Sequence, residues 1–154
     1  MTVNAVQQID RNHKVINSNE AILLESQWTF AAATTGAVGA HTLFTVTGNN
    51  LANIWAVCSS DVTGSGTGEV GTTNNTAAFI AQTTGTAIDA NEVWQNATPT
   101  AEVGAALGNA KPVANGADIV LTIATDTFTA GVVTFYCAYR PCSPDAQITV
   151  TMAA

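Results

Sequence analysis

Apolar residues along most of this chain alternate with polar ones, the pattern typical of half-buried β-strands. The clearest cases are residues 118–125 (DIVLTIAT) and 132–139 (VVTFYCAY), which are rich in branched and aromatic side chains. Residues 126–131 connect them through a glycine-assisted turn, and we expect the two strands to form a hairpin. Further strands are predicted at residues 22–30, 41–47, 51–59, 69–71, 76–83 and 147–152. No long segment has a helical period.

Alternation also predicts which side chains share a face, because successive residues of a strand point to opposite sides of the sheet. In the strand at 51–59, Ile54 and Cys58 share one face, and Trp55 lies on the other. In the strand at 132–139, Phe135 lies on the face opposite to that of Tyr136. We therefore expect both faces of these strands to carry large apolar side chains.

Seven to nine short strands separated by turn signals predict an all-β fold, an antiparallel β-sandwich or barrel of jelly-roll-like type. Residues 61–68 (DVTGSGTG) are interpreted as a flexible, glycine-rich connection. Residues 89–116 are interpreted as irregular, with a short strand or helical turn. At 154 residues the chain has the length of one domain, and we place a single β domain at residues 21–154.

Residues 1–20 are polar with isolated apolar positions and are predicted to be an extended N-terminal arm, either frayed or ordered by a neighbouring molecule. The apolar points of this arm are candidates for a protein interface. A further candidate is a tryptophan in the irregular segment, since Trp is enriched at binding hot spots. The candidate interface residues are Val3, Val6, Ile9, Val15, Ile16 and Trp94.

Only 10% of the residues are charged, and the formal net charge is −7 with a sequence pI of about 4.3. With four Lys and Arg residues in total, no basic surface for nucleic acid or for an anionic membrane is expected. No apolar run approaches the length of a membrane span, and no secretory signal is recognised at residues 1–20. We therefore expect synthesis in a cytosol.

Few residues are suited to catalysis, and we expect no enzyme, no cofactor and no metal site. A nucleophile triad would need His41 as its base, and a sugar-cleaving pair would use Asp89 and Glu92 beside Trp94. We favour a structural role for His41 over a catalytic one, and we favour solvated loop carboxylates over a catalytic pair. The cysteines lack the close paired spacing of zinc ligands and are expected to be buried, reduced thiols. They are Cys58, Cys137 and Cys142.

The stretch from Leu51 to Ala146 resembles the decoration, or cement, proteins that tailed bacteriophages place on the outside of the capsid shell. The markers are the EVG turn followed by the strand NTAAFIAQT, the segment ID-x-NE-x-W, and the terminal run FYCAYRP-x-SPDA. This resemblance implies a β-structured virion protein that binds the major capsid protein, commonly as a homotrimer at local three-fold positions. It implies a role in stabilising the head, and it assigns no site residues.

The first hypothesis is therefore a capsid decoration protein, made in the host bacterial cytoplasm and located on the virion surface. Sparse charge and strands without lysine-protected edges agree with a protein that packs against other proteins. A related alternative is another virion component, such as a tail-tube or head-fibre protein. An alternative of another class is a carbohydrate-binding module that uses Trp94 with Asp89 and Glu92.

Overall fold

The computed structural model describes residues 8–9, 15–16 and 21–152, which form thirteen β-strands and one short 3₁₀ helix, Gly85–Ala87. The strands are β1 (Gln8–Ile9), β2 (Val15–Ile16), β3 (Ile22–Thr29), β4 (Gly39–Thr47), β5 (Asn50–Thr63), β6 (Thr67–Thr72), β7 (Asn75–Thr84), β8 (Glu92–Trp94), β9 (Thr100–Ala101), β10 (Lys111–Val113), β11 (Ile119–Ala124), β12 (Ala130–Pro141) and β13 (Gln147–Val150). No helix among the described residues is long and apolar enough to cross a membrane.

Eleven of these strands form two antiparallel sheets that pack face to face as a sandwich. The six-stranded sheet has the order β3-β12-β5-β8-β9, with β10 also paired to β5. The five-stranded sheet has the order β13-β4-β11-β6-β7. The all-β prediction is confirmed, and of the two architectures expected the sandwich is the one observed.

The core between the sheets consists of the apolar side chains that alternate with outward-facing residues along each strand. In β5, Ile54 and Cys58 are buried while Trp55 between them is half-buried on the other face. In β12, Phe135 is fully buried and Tyr136 faces outward. The predicted division of faces is confirmed in both strands, because each strand presents every second side chain to the opposite sheet.

The predicted hairpin between the strands at 118–125 and 132–139 is wrong. Both strands form, but β11 pairs with β4 and β6 in one sheet, and β12 pairs with β3 and β5 in the other. The connection between them crosses from sheet to sheet over Phe128, which is fully buried and packs edge-on against Phe30 with ring centroids 5.1 Å apart. A turn signal in the sequence predicts that the chain changes direction, but it does not predict which strand will pair with the strand that follows.

The glycine-rich stretch at 61–68 is not the flexible connection expected. β5 continues to Thr63 and β6 begins at Thr67, which leaves a three-residue link between the sheets. Gly64 has a φ of 110°, and a Cβ at this position would lie 2.2 Å from the carbonyl oxygen of Thr127. Glycine is needed here for a left-handed backbone and a close approach, and not for mobility.

The segment at 89–116, expected to be irregular with a short strand or helical turn, contains the three short strands β8, β9 and β10. β8 pairs with β5 so that Trp94 lies opposite Ala56, and β9 extends the sheet by pairing with β8. These short strands complete the six-stranded sheet on the side remote from β3. The division of the chain into an arm at 1–20 and a single domain at 21–154 stays a prediction.

Candidate functional site: the outer face of the six-stranded sheet

His41, the only histidine proposed as a base, lies in a structural setting. Its Nε2 is 2.7 Å from the carbonyl oxygen of Ala37, and its ring meets Trp28 edge-on at 5.7 Å. The adjacent cavity of about 240 Å³ is lined by these two rings with Thr34 and Thr35, so no thiol or carboxylate lines it. Within residues 8–9, 15–16 and 21–152, no group of three His, Cys, Asp or Glu side chains is placed to hold a metal.

Trp94 is not the exposed interface anchor expected from the sequence. It is fully buried, its indole N–H donates to Thr83 Oγ1 at 2.8 Å, and its ring packs against Phe135 with centroids 5.9 Å apart. The expectation is wrong because β8 pairs with β5, and this pairing directs the Trp94 side chain into the core. The alternative of a sugar-binding surface formed by Trp94 with Asp89 and Glu92 is wrong for the same reason, because the Trp94 ring is buried. The Glu92 carboxylate accepts a hydrogen bond of 3.0 Å from the backbone N–H of Asp89.

Three of the five arm candidates lie in the two short strands β1 and β2. β1 and β2 pair antiparallel with Ile9 opposite Val15 and Gln8 opposite Ile16, a short strand pair that the sequence analysis did not anticipate. The other two candidates, Val3 and Val6, lie outside the described residues. The interface role of these apolar residues stays a prediction.

Two of the three cysteines are buried thiols, as expected, and the third is not. Burial raises the pKa of Cys137 to about 12, and burial is also the main cause of the raised pKa of Cys58. The Cys58 thiol donates to the carbonyl oxygen of Ser60 at 3.1 Å. Cys142 is exposed, so the expectation of a buried thiol is wrong there, because the chain has left the sheet after Pro141.

A group of apolar side chains outside the core lies on the outer side of the six-stranded sheet, and we call it the aromatic face. It comprises Leu23, Trp55, Val57, Val93 and Tyr136. Register places Tyr136 directly opposite Trp55, and the two rings stack with centroids 5.5 Å apart and planes 15° from parallel. Val57 and Val93 form the next cross-strand pair. None of the five residues belongs to the core cluster.

The aromatic face combines apolar area with free polar groups. Leu23 is 58% exposed, and the other four side chains are partly exposed. Within the described part of the chain, neither the Trp55 indole N–H nor the Tyr136 hydroxyl makes a hydrogen bond. Glu25 lies opposite Tyr136 on the neighbouring strand β3 and supplies a carboxylate at the border. Trp and Tyr side chains with an apolar body and an unused polar end are typical of binding surfaces.

The outer side of the five-stranded sheet has a different chemistry, and we call it the threonine face. It comprises Thr42, Thr45, Thr47, Thr122 and Thr149. Thr45 lies opposite Thr149, and its hydroxyl is 3.0 Å from that of Thr151. The Thr122 hydroxyl oxygen is buried and has no hydrogen-bond partner among the described residues. All five side chains are short, so this face offers less apolar area to a partner than the aromatic face does.

The aromatic face was not predicted as a site, although the sequence contains a signal for it. The alternation in β5 and β12 already assigned Trp55 and Tyr136 to the sides opposite Ile54 and Phe135. The unknown was strand order, since only the antiparallel pairing of β12 with β5 brings Trp55 and Tyr136 together. Residues far apart in sequence became one surface through that pairing.

No family model and no curated protein matches the sequence. A chain of a solved structure described as the cyanophage Pam1 capsid asymmetric unit has a similar fold, with a TM-score of 0.50. The match covers 81% of this chain and 89% of that chain, at 14% sequence identity. The sandwich described above is therefore a fold also found within a phage capsid assembly.

Proposed function

We propose that this protein is a structural component of a bacteriophage virion that attaches to the outer surface of the capsid and stabilises the shell. The observation that carries the proposal is the shared fold, over most of both chains, with a chain of the cyanophage Pam1 capsid asymmetric unit. The major capsid protein is the proposed partner, a homotrimer is the proposed form, and we assign the protein binding and no catalysis.

The aromatic face supports the proposal because it is the surface that best fits a protein partner. Trp55 and Tyr136 are held by cross-strand pairing, so they lose little conformational freedom on binding. Covering them removes apolar area from water and gives their polar ends hydrogen-bond partners. The threonine face offers neither gain, which makes the six-stranded sheet the side that we assign to the capsid.

Stabilisation of the shell follows from mass action. If the protein binds only to assembled capsid subunits, its binding free energy must be lost before the shell comes apart. At a free concentration 100 times the dissociation constant, each occupied site adds about 2.7 kcal/mol to the cost of disruption. A binding protein with no reaction chemistry is sufficient for this role.

The proposal is tested with capsids of the phage that encodes the chain, prepared without this protein. Purified protein should co-sediment with these heads saturably and raise the temperature at which they release DNA. Heads of an unrelated phage are the control. Absence of saturable binding to the cognate heads would contradict the proposal, and a map of decorated heads would show whether three copies meet at each site.

The N-terminal arm is tested separately in the same assay. The candidate residues Ile9, Val15 and Ile16 fall within the arm, and a deletion of residues 2–19 removes all of them. We expect the truncated protein to keep its melting temperature, because the two sheets consist of residues 22–150, and to bind heads about tenfold or more weakly. Undiminished decoration would contradict a role for the arm.

A further inference from the structure

Among the described residues, the outward backbone groups of β3, at the edge of the six-stranded sheet, are not paired with another strand. β3 pairs along its whole length with β12, and the adjacent Phe30 N–H donates to the carbonyl oxygen of Gly131 at 2.9 Å. Because backbone groups alternate along an antiparallel strand, those of Leu23, Glu25 and Gln27 point away from β12. No strand within residues 21–152 pairs with this edge, and all three side chains are exposed.

The usable edge has a defined end. The outward carbonyl oxygen of Thr29 accepts a hydrogen bond of 2.6 Å from the hydroxyl of Thr35, a residue of the loop that follows β3. The free stretch therefore runs from Leu23 to Gln27, a length that suits a short docked strand. At its start, Ile22 and Leu23 are 46% and 58% exposed.

The edges elsewhere in the sandwich are short or blocked. β13 has four residues and β9 has two. The long edge strand β7 is covered by Lys111, whose ammonium group donates to the carbonyl oxygen of Ala78 and lies 5.6 Å from the ring centroid of Phe79. Lys111 belongs to β10, and a lysine placed against a sheet edge disfavours pairing of that edge with another strand. β3 contains no lysine and no proline, so it is the long edge without this protection.

Charge indicates what kind of strand fits there. A second copy paired with β3 about a two-fold axis at Glu25 would use all three free residues. That arrangement would place Glu25 opposite the same residue of the other copy, and like charges directly opposite destabilise a strand pair. A cationic residue at that position would instead form a cross-strand ion pair with Glu25. A partner strand with a basic residue therefore fits better than a second copy.

We propose that the edge of β3 from Leu23 to Gln27 receives an extended strand of the capsid protein that carries a lysine or arginine opposite Glu25. This inference rests on the proposed function and specifies its contact. The docked strand would continue the six-stranded sheet, and its outward side chains would adjoin the aromatic face, since Glu25 lies opposite Tyr136. Backbone groups would supply affinity, and Glu25 would select the partner.

The backbone contact is tested by head binding of Gln27→Pro and Gln27→Ala. Proline removes one outward N–H without removing a bond to β12, and prolines are tolerated at such edge positions. We expect Gln27→Pro to weaken binding to heads about tenfold or more, since a buried carbonyl of the partner loses its donor. Gln27→Ala keeps the N–H and should lose about threefold at most. Thr45→Ala, on the threonine face, is the control that leaves binding unchanged.

The charge is tested in parallel, which also covers the case in which the proline variant fails to fold. Glu25→Lys should weaken head binding about tenfold or more, and Glu25→Gln by a smaller factor. If the wild type binds heads and both Gln27→Pro and Glu25→Lys bind as tightly as the wild type, this inference is overturned and the proposed function stands. Absence of wild-type binding would overturn both. Self-association of the wild type that Gln27→Pro abolishes would show a second copy at the edge and overturn the inference.

Discussion

Two aromatic pairs lie back to back across the six-stranded sheet. On the inner side, Trp94 and Phe135 are fully buried, and the indole N–H of Trp94 is hydrogen-bonded to Thr83. On the outer side, Trp55 and Tyr136 stack at 5.5 Å, and both rings remain partly exposed. Phe135 and Tyr136 are consecutive residues of β12, so one strand supplies a member to each pair.

The comparison shows that residue type alone does not separate a core tryptophan from a surface one. Both tryptophans lie on strands of the six-stranded sheet, and each packs against an aromatic residue of β12. What distinguishes them is the side of the sheet and the hydrogen bonding of the indole N–H, which is complete for Trp94 and absent for Trp55 among the described residues. An inner pair of this kind stabilises the fold, and an outer pair is suited to binding.

The largest effect is expected from truncation of the inner pair. Trp94→Ala removes a fully buried ring and should lower the free energy of unfolding by about 3–5 kcal/mol. In a domain of this size, that corresponds to a melting temperature roughly 10 °C lower. Thermal and urea unfolding would measure it, with Trp55→Ala as the matched control. A loss below about 1 kcal/mol would contradict the core position of Trp94.

A smaller effect, on binding and not on folding, is expected from the outer pair. Trp55→Ala should weaken binding to capsids by about 2 kcal/mol, which is roughly 30-fold in the dissociation constant. Its melting temperature should change little, because the ring lies outside the core cluster. Thr45→Ala on the opposite sheet is the control in the same assay. Equal binding by wild type and Trp55→Ala would remove the aromatic face from the proposed contact.

The sequence predicted local structure here better than it predicted neighbours. Alternation located β3, β4, β5, β7, β11 and β12 and assigned the faces of Trp55 and Phe135, because side-chain direction depends only on position along a strand. It did not predict that β11 and β12 belong to different sheets, since strand pairing is decided by packing across the whole chain. The buried position of Trp94 was missed because β8 has only three residues and no visible period.

The aromatic face follows the same division between local and global information. The alternation predicted that Trp55 and Tyr136 lie on the faces of their strands opposite to the buried residues. They form one surface only because β3, β12 and β5 are neighbours in that order. The free edge of β3 has the same origin, since an edge is a property of strand order. Neither feature carries a motif, and for this reason the interface candidate predicted from the sequence was Trp94, in the segment expected to be irregular.

The last expected effect is absent below pH 9 and uses the inner side of β12 as a pH probe. Burial raises the pKa of Cys137 to about 12 from an ordinary value of 9.0. Above pH 9 the unfolded chain loses this proton while the folded protein keeps it, so the unfolded state binds fewer protons and stability falls as pH rises. The contribution is about 1.4 kcal/mol per pH unit, and full stability is present below pH 9.

Urea unfolding under reducing conditions, from about pH 8 to about pH 11, measures this slope, and Cys137→Ala is the variant that isolates it. The variant is less stable below pH 9 because of the cavity, but its decline above pH 9 should be shallower than that of the wild type, so the two curves approach each other. The pKa of Cys58 is also raised, so this thiol contributes to the decline as well. Because Cys58 is present in both proteins, its contribution is the same in both curves. Parallel curves would mean that the inner side of the sheet admits water at Cys137, and the contrast between the two sides of the sheet would not hold.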